Sequence, residues 1–223
     1  VSVAVRRKWS TEAYSTPAGG LSPASDRQLL LDVSNIAKND ARTGIQRVVR
    51  AIVCALQRLE LPGVSVRLIA ADRDTFYRSL PDDWLERTGP DREFRLTDHP
   101  PANVRRGEIF FGLDFASSIL PHHEERLGEW RRRGVEIRLV VYDLLPLTHG
   151  RWFTLRARRN FRRWLNLIER QADGVVAISE SVANEFDAGI HRHSLPYHPD
   201  GQRGRRVVVD AIGRICSTQV ADD

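Results

Sequence analysis

The sequence predicts an α/β domain built on a doubly wound parallel sheet. Short apolar runs alternate with amphipathic helical segments along the chain. The runs have strand length and are apolar on both faces, as strands covered by helices require. The first three segments make a strand–helix–strand unit, whose crossover is expected to be right-handed. The 223 residues are 41% hydrophobic and 28% charged, enough apolar material for one packed domain and too much for wholesale disorder.

Order is expected to begin at Gln28. Residues 1–27, rich in Ser, Pro, Ala and Gly without an apolar period, read as a disordered arm. Leu29 to Val33 is the first strand, and a polar loop follows from Ser34 to Arg42. A helix then carries Ile45, Val48, Val49, Ile52, Val53, Leu56 and Leu59 on one stripe. Thr43 and Gln46 form a T-x-x-Q capping box at its start, and Pro62-Gly63 ends it. Val64 to Ala70 is the second strand. Residues 72–107 read as irregular, with one short helix near Asp83 to Arg87. Glu108 to Asp114 is the third strand. A helix capped by Ser118 runs to Arg133 and stops at Gly134, and Val135 to Tyr142 is the fourth strand. A helix over Thr154 to Gln171, a strand over Ala172 to Ser179 and a helix from Ser181 complete the pattern. Residues after Gly189 show no sustained period and have no assigned place.

Other classes are excluded or unsupported. No stretch approaches 18 consecutive apolar residues, so no spanning helix is expected. The opening residues lack the apolar core of a secretory signal. Cys54 and Cys216 form neither a disulfide framework nor a zinc pattern, so a reducing, cytoplasmic location is expected. No methionine occurs, even at position 1, which reads either as a non-standard start or as a chain that is not a complete gene product.

In an open parallel sheet, ligands bind outside the carboxyl ends of the strands. That rule selects four places. At the first, Thr43, Gly44 and Arg47 open a helix whose N–H groups and dipole suit an anion, with Arg42 and Arg50 nearby. Gly44 serves equally as a close-approach position or as a plain turn residue. Neither G-x-G-x-x-G nor G-x-x-x-x-G-K-[ST] is present, so a dinucleotide fold and a P-loop are unsupported. The second place is Asp114, and the third is Asp143 to His149. There Asp143 is either a general base or hydroxyl-binding group, or a simple helix cap. The fourth is Ser179 and Ser181. His191, His193 and His198 match no closed zinc spacing, and no metal is assigned.

Residues 151–170 hold seven arginines against Glu169, beside an apolar stripe of Phe161, Trp164, Leu165 and Ile168. Arg158, Arg159, Arg162 and Arg163 either face an anionic membrane or form a solvated outer surface. No nucleic-acid-binding motif accompanies them, so nucleic acid is not an expected partner.

Four segments, "LLLDVSNIAKNDARTGIQRVVRAI", "GEIFFGLDFA", "GVEIRLVVYDLLPLTH" and "ADGVVAISESVANEF", occur in that order. Together they resemble the N-terminal, Rossmann-like domain of retaining GT-B glycosyltransferases, the group 1 or family 4 enzymes. The nearest resemblance is to bacterial enzymes that add mannose or similar sugars to O-antigen and other surface polysaccharides. The likeness spans about residues 28–187. It implies an acceptor-side half over residues 28–189, and a donor-side half carrying Glu-x7-Glu that the chain does not reach. It implies a nucleotide-sugar donor, a glycan acceptor and no active-site metal or other cofactor. It places Thr43, Gly44 and Arg47 toward the donor phosphates, and Ser179 and Ser181 at the S-x-S after the last strand. Asp143 falls where many members have His-Asp or His-Glu, with Tyr142 in place of the histidine. Residues 190–223 do not continue like the family, as a frameshift or truncation would produce. The expected location is cytoplasmic, with a peripheral place on the inner face of the plasma membrane as the alternative. The rival reading is a non-catalytic module that docks on membrane or glycan through the Arg-rich helix.

Overall fold

The computed structural model describes residues 27–59, 61–87, 94–192 and 206–208. Residues 1–26 of the expected arm, His193, His198 and Cys216 lie outside the described residues, and Arg27, expected as the end of that arm, instead opens the first strand. The elements, in order, are β1 (Arg27–Asp32), α1 (Ser34–Lys38), α2 (Gly44–Arg58), β2 (Val64–Ala70), β3 (Arg78–Ser79) and α3 (Trp84–Arg87), then β4 (Ile109–Gly112), α4 (Glu124–Arg132), β5 (Glu136–Val141) and α5 (Leu145–Thr148), and finally α6 (Leu155–Gln171), β6 (Gly174–Ala177), α7 (Glu180–Arg192) and β7 (Arg206–Val208).

The seven strands form one sheet in the order β3-β2-β1-β4-β5-β6-β7. Every pairing is parallel except β2 with β3. This is the Rossmann-like α/β arrangement expected from the alternation of segments. The chain winds outward from β1 in one direction and then returns to place β4 on its other side. The strand order therefore reverses between β1 and β4, which makes their carboxyl ends the topological switch point.

Alternation along the strands sends side chains into two separate cores. Leu30, Ile69, Phe110 and Leu139 point to one face, packed by Trp130 of α4, by Phe161, Trp164 and Leu167 of α6, and by Phe186 of α7. Leu31, Leu68 and Val140 point to the other, packed by Ile36 of α1 and by Val49, Ile52 and Val53 of α2. Each of these aliphatic burials stabilises the fold by about 1.5–3 kcal/mol before conformational entropy is set against it.

Several local expectations change. The loop after β1 contains the helical turns of α1, although its N-cap residue Val33 makes no side-chain cap. The helix expected from Ser118 starts later, at Glu124, because a 3-10 turn over Leu120–His123 with Pro121 in its first positions precedes it. Leu59 is 51% exposed, since α2 ends at Arg58 and no longer turns that position toward the sheet. In the α6 stripe Leu167 is buried, and Leu165 lies only partly buried beside the core. Beyond Gly189, α7 continues to Arg192, and β7 adds a parallel strand beside β6. On the far edge, β3 closes the sheet. Ser79 N–H donates to Pro100 O (2.9 Å), and Arg78 forms an isolated bridge with Pro101.

Gly112 ends β4 under the switch point. A Cβ there would collide with Leu139 Cδ2, inside the first core. Gly112→Ala is expected to lower stability by about 1–3 kcal/mol through forced repacking. Denaturant melts of the two proteins measure this.

Candidate functional site

Two carboxylates sit beneath the switch point. Asp32 is the last residue of β1, and Asp114 lies two residues beyond β4. Both side chains are buried, Asp32 completely. The Asp114 N–H donates to Asp32 O (3.1 Å), tying the two strand ends together. Asp32 Oδ1 accepts from Ser34 N–H (2.9 Å) and from the Ser34 hydroxyl, and Asp32 Oδ2 accepts from the Tyr77 hydroxyl (2.9 Å). Ser34 Oγ in turn accepts from Ala71 N–H (2.8 Å), at the end of β2. Asp114 Oδ2 accepts from Ile36 N–H (2.7 Å). Asp114 Oδ1 is buried without a partner. The two acids thus supply the acceptors that the first turn of α1 lacks locally.

Burial raises the Asp32 carboxyl to about 7, although its hydrogen bonds from Ser34 and Tyr77 favour the charged form. Burial likewise raises Asp114 to about 6, against the N–H groups that favour its anion. Tyr77 is pushed well above the usual phenol value, first by burial and then by the Asp32 charge. The Tyr142 hydroxyl donates to Leu113 O (2.7 Å) and bridges β5 to the segment after β4.

Above this base lies the loop into α2. The Thr43 hydroxyl accepts from Gln46 N–H (3.3 Å), and Gln46 Oε1 accepts from Thr43 N–H (3.1 Å), so the expected capping box forms. Gln46 Nε2 also donates to Asn39 O (2.6 Å), and Arg50 pairs with Asp40. These bonds staple the loop to the helix it leads into. Arg42 takes a left-handed backbone (φ 52°) at the bend. Thr43, Gly44 and Arg47 are exposed beyond it. Gly44 has no positive φ, and a Cβ there would meet nothing within 4 Å. Neither packing nor backbone geometry within the described chain calls for glycine at this position.

The remaining expected site residues lie along the same edge. Asp143 Oδ1 accepts from Leu145 N–H (3.0 Å), so the carboxylate caps α5 and leaves Oδ2 for other partners. His149 is exposed and stacks on Trp152. Ser179 Oγ accepts from Val182 N–H (3.2 Å) as the cap of α7, and Ser181 is exposed one residue into that helix. Arg159, Arg162 and Arg163 are exposed on the outer face of α6, while Arg158 leans over Gly150. No described helix is long and apolar enough to cross a membrane.

The structure brings Asp114 together with three groups that the sequence reading did not single out: Asp32, Ser34 and Tyr77. A local signal for two of them existed. Asp32 is the charged residue in the apolar run Leu29 to Val33, and Asp32-x-Ser34 has the spacing of an Asx turn. Tyr77 lies 45 residues from its partner, and nothing near it in sequence marks the contact.

Comparisons with known proteins find similarity to mannosyltransferases. No family model matches the chain. Three serotype-specific mannosyltransferases WbdA of Escherichia coli are similar to it. Two are 30% identical over 175 residues, or 78% of this chain, and a third is 31% identical over 168 residues, or 75%. The chain spans about a fifth of the length of these relatives.

The raised Asp32 and Asp114 values fix a direction of pH dependence. The folded protein holds protons on these groups at pH values where the unfolded chain, near 3.8, has released them. Their contribution to stability is full below about pH 4 and is lost as pH rises through 6 to 7. Asp32→Asn removes the Asp32 part. Its destabilisation relative to the parent is expected to shrink by about 1 kcal/mol or more between pH 5 and pH 8, as paired denaturant melts will measure.

Proposed function

We propose that this chain supplies the acceptor-side half of a retaining GT-B glycosyltransferase that moves a mannose-class sugar from a nucleotide-sugar to a surface-polysaccharide or lipid-linked glycan. The observation that carries the reading is the similarity to the WbdA mannosyltransferases over three quarters of the chain. The open Gly44 surface beside the switch point supports it. The domain is assigned to residues 28–189, with the donor-side half in sequence outside these 223 residues. The protein is placed on the cytoplasmic side of the membrane that carries its acceptor.

Chemical roles follow from position. Sugar transfer leaves a nucleoside diphosphate as the departing group, and its developing charge needs fixed donors. In this proposal the N-terminal N–H groups of α2 at Gly44, its dipole and Arg47 face that charge. The absence of a Cβ at Gly44 lets the phosphate reach the backbone. Asp143 binds or deprotonates an acceptor hydroxyl through the oxygen not used to cap α5. Ser179 and Ser181 give hydroxyl contacts at the adjoining strand end. Asp32 and Asp114 are positioning residues that hold α1 and the loop beneath the site. Both halves are needed, because proximity and charge stabilisation come from groups on each side of the cleft.

The test uses the chain alone and the chain joined to its donor-side half, offered a panel of nucleotide sugars and a glycan acceptor. The joined protein is expected to transfer sugar and the 223-residue chain to stay at background. In the joined protein, Gly44→Leu is expected to keep its melting behaviour and to lose about tenfold or more in kcat/KM, as removing an anion-binding contact does. Strong turnover by the chain alone, or full activity of Gly44→Leu, overturns the proposal.

A further inference from the structure

A groove of about 820 Å³ runs along the outer face of α6, between its first turns and the turn after β2. Arg73, Arg156, Arg158, Arg159, Arg162 and Arg163 line it, and no carboxylate does. Asn160 and Asn166 add neutral donors and acceptors. Arg73 comes from the turn after β2 and the rest from the first turns of α6, so two elements converge on one space. The turn is held firm. Asp72 Oδ1 accepts from Asp74 N–H (2.8 Å) and Thr75 N–H (2.6 Å), and Asp72 O is hydrogen-bonded to His123 Nε2 (2.5 Å). Arg73 Nε is buried without a hydrogen-bond partner.

The charge is placed against the helix's own interest. Arg156 and Arg159, Arg158 and Arg162, Arg159 and Arg162, and Arg159 and Arg163 are like-charge neighbours at i,i+3 or i,i+4. They crowd the dipole-positive end of α6, whose first turn has no acidic residue. The other end of the same helix is treated differently, for Arg170 makes a two-pronged pair with Glu124 (2.5 and 2.9 Å). Among the described residues no carboxylate pairs with the six groove arginines. A bound anion would relieve this repulsion. The positions from Arg156 to Arg163 extend about 10 Å along the helix, more than a single phosphate spans.

We propose that this groove binds a ligand carrying more than one phosphate group, gripped by guanidinium forks from α6 and from Arg73. The site stands independently of the sugar-transfer reading. The phosphates can be carried by a soluble diphosphate ester or by lipid headgroups. The second source has a mark on the surface, because Trp152 is 63% exposed and Leu155, on the groove's rim, 80%.

Inorganic pyrophosphate and vesicles with or without phosphatidylglycerol are the probes, at fixed ionic strength. Three variants are compared with the parent: Arg159→Gln with Arg163→Gln, Arg73→Gln, and Trp152→Ser with Leu155→Ser. Arg132→Gln with Arg133→Gln, on α4 and its C-cap, is the control, equal in charge change to the α6 pair and larger than Arg73→Gln. Either groove variant is expected to weaken binding about tenfold or more, and the control by less than about twofold. Saturable pyrophosphate binding, with a raised melting temperature and no effect of the apolar pair, identifies a soluble source. Binding confined to phosphatidylglycerol vesicles and lost in the apolar pair identifies the lipid source. If neither probe binds, or the control loses as much as the groove variants, the site does not exist and the arginines contribute only net charge.

Discussion

The fold depends on how two carboxylates are accommodated where water cannot reach them. Asp32 and Asp114 end or follow adjacent strands at the centre of the sheet, and each is costly to bury as an anion. The structure offsets this with N–H and O–H donors from α1, from Tyr77 and from Ser34. Those same bonds place α1, close the end of β2 through Ala71, and link β1 to β4. Removing either acid would orphan donors at the point where the strand order reverses. The loop toward Thr43 and Gly44 is then fastened separately by Gln46, bonded to Asn39 O, and by Arg50, paired with Asp40. A rigid base with a capped, stapled loop above it is the arrangement a preorganised anion site needs.

The two faces of the molecule treat charge in opposite ways. Beneath the switch point, the ionisable groups are carboxyls, buried and hydrogen-bonded. Along the first turns of α6 the charge is positive and, among the described residues, unpaired with any carboxylate, while an apolar stripe of Phe161, Trp164, Leu167 and Ile168 fixes the helix to the sheet. Because that stripe is fully used by the core, the arginine face is left for solvent or a ligand rather than for packing. The two faces are joined by the sheet itself.

Much of the fold was legible in the sequence, and the reasons are local. The strand at Val135 to Tyr142 announces itself by its apolar run, buried on both faces from Leu139 onward and half-buried only at Glu136 and Arg138. The helix α2 does so by its period of 3.6 and its Thr43–Gln46 cap, which forms as read. The α1 turns were illegible, since Val33 provides no cap and the missing acceptors arrive from Asp32 and from Asp114, 78 residues from Ile36. The start of α4 was misplaced because Ser118 has cap chemistry, yet Pro121 and the 3-10 turn intervene. The candidate site divides in the same way. Thr43, Gly44 and Asp143 follow from position after a strand, whereas the Asp32, Ser34 and Tyr77 cluster exists only once β1, β2 and the β3 segment are side by side.

The margin of the sheet at β3 has a further consequence. Two antiparallel residues, backed by Pro100 and Pro101, cover the carboxyl end of β2 on that side, and proline has no N–H to offer an incoming strand. Self-association by strand addition is therefore hindered at that end of the border. Should the protein aggregate when partly unfolded, the initiating event has to strip away β3 or begin elsewhere, and that segment acts as a guard on colloidal behaviour as well as a piece of the fold.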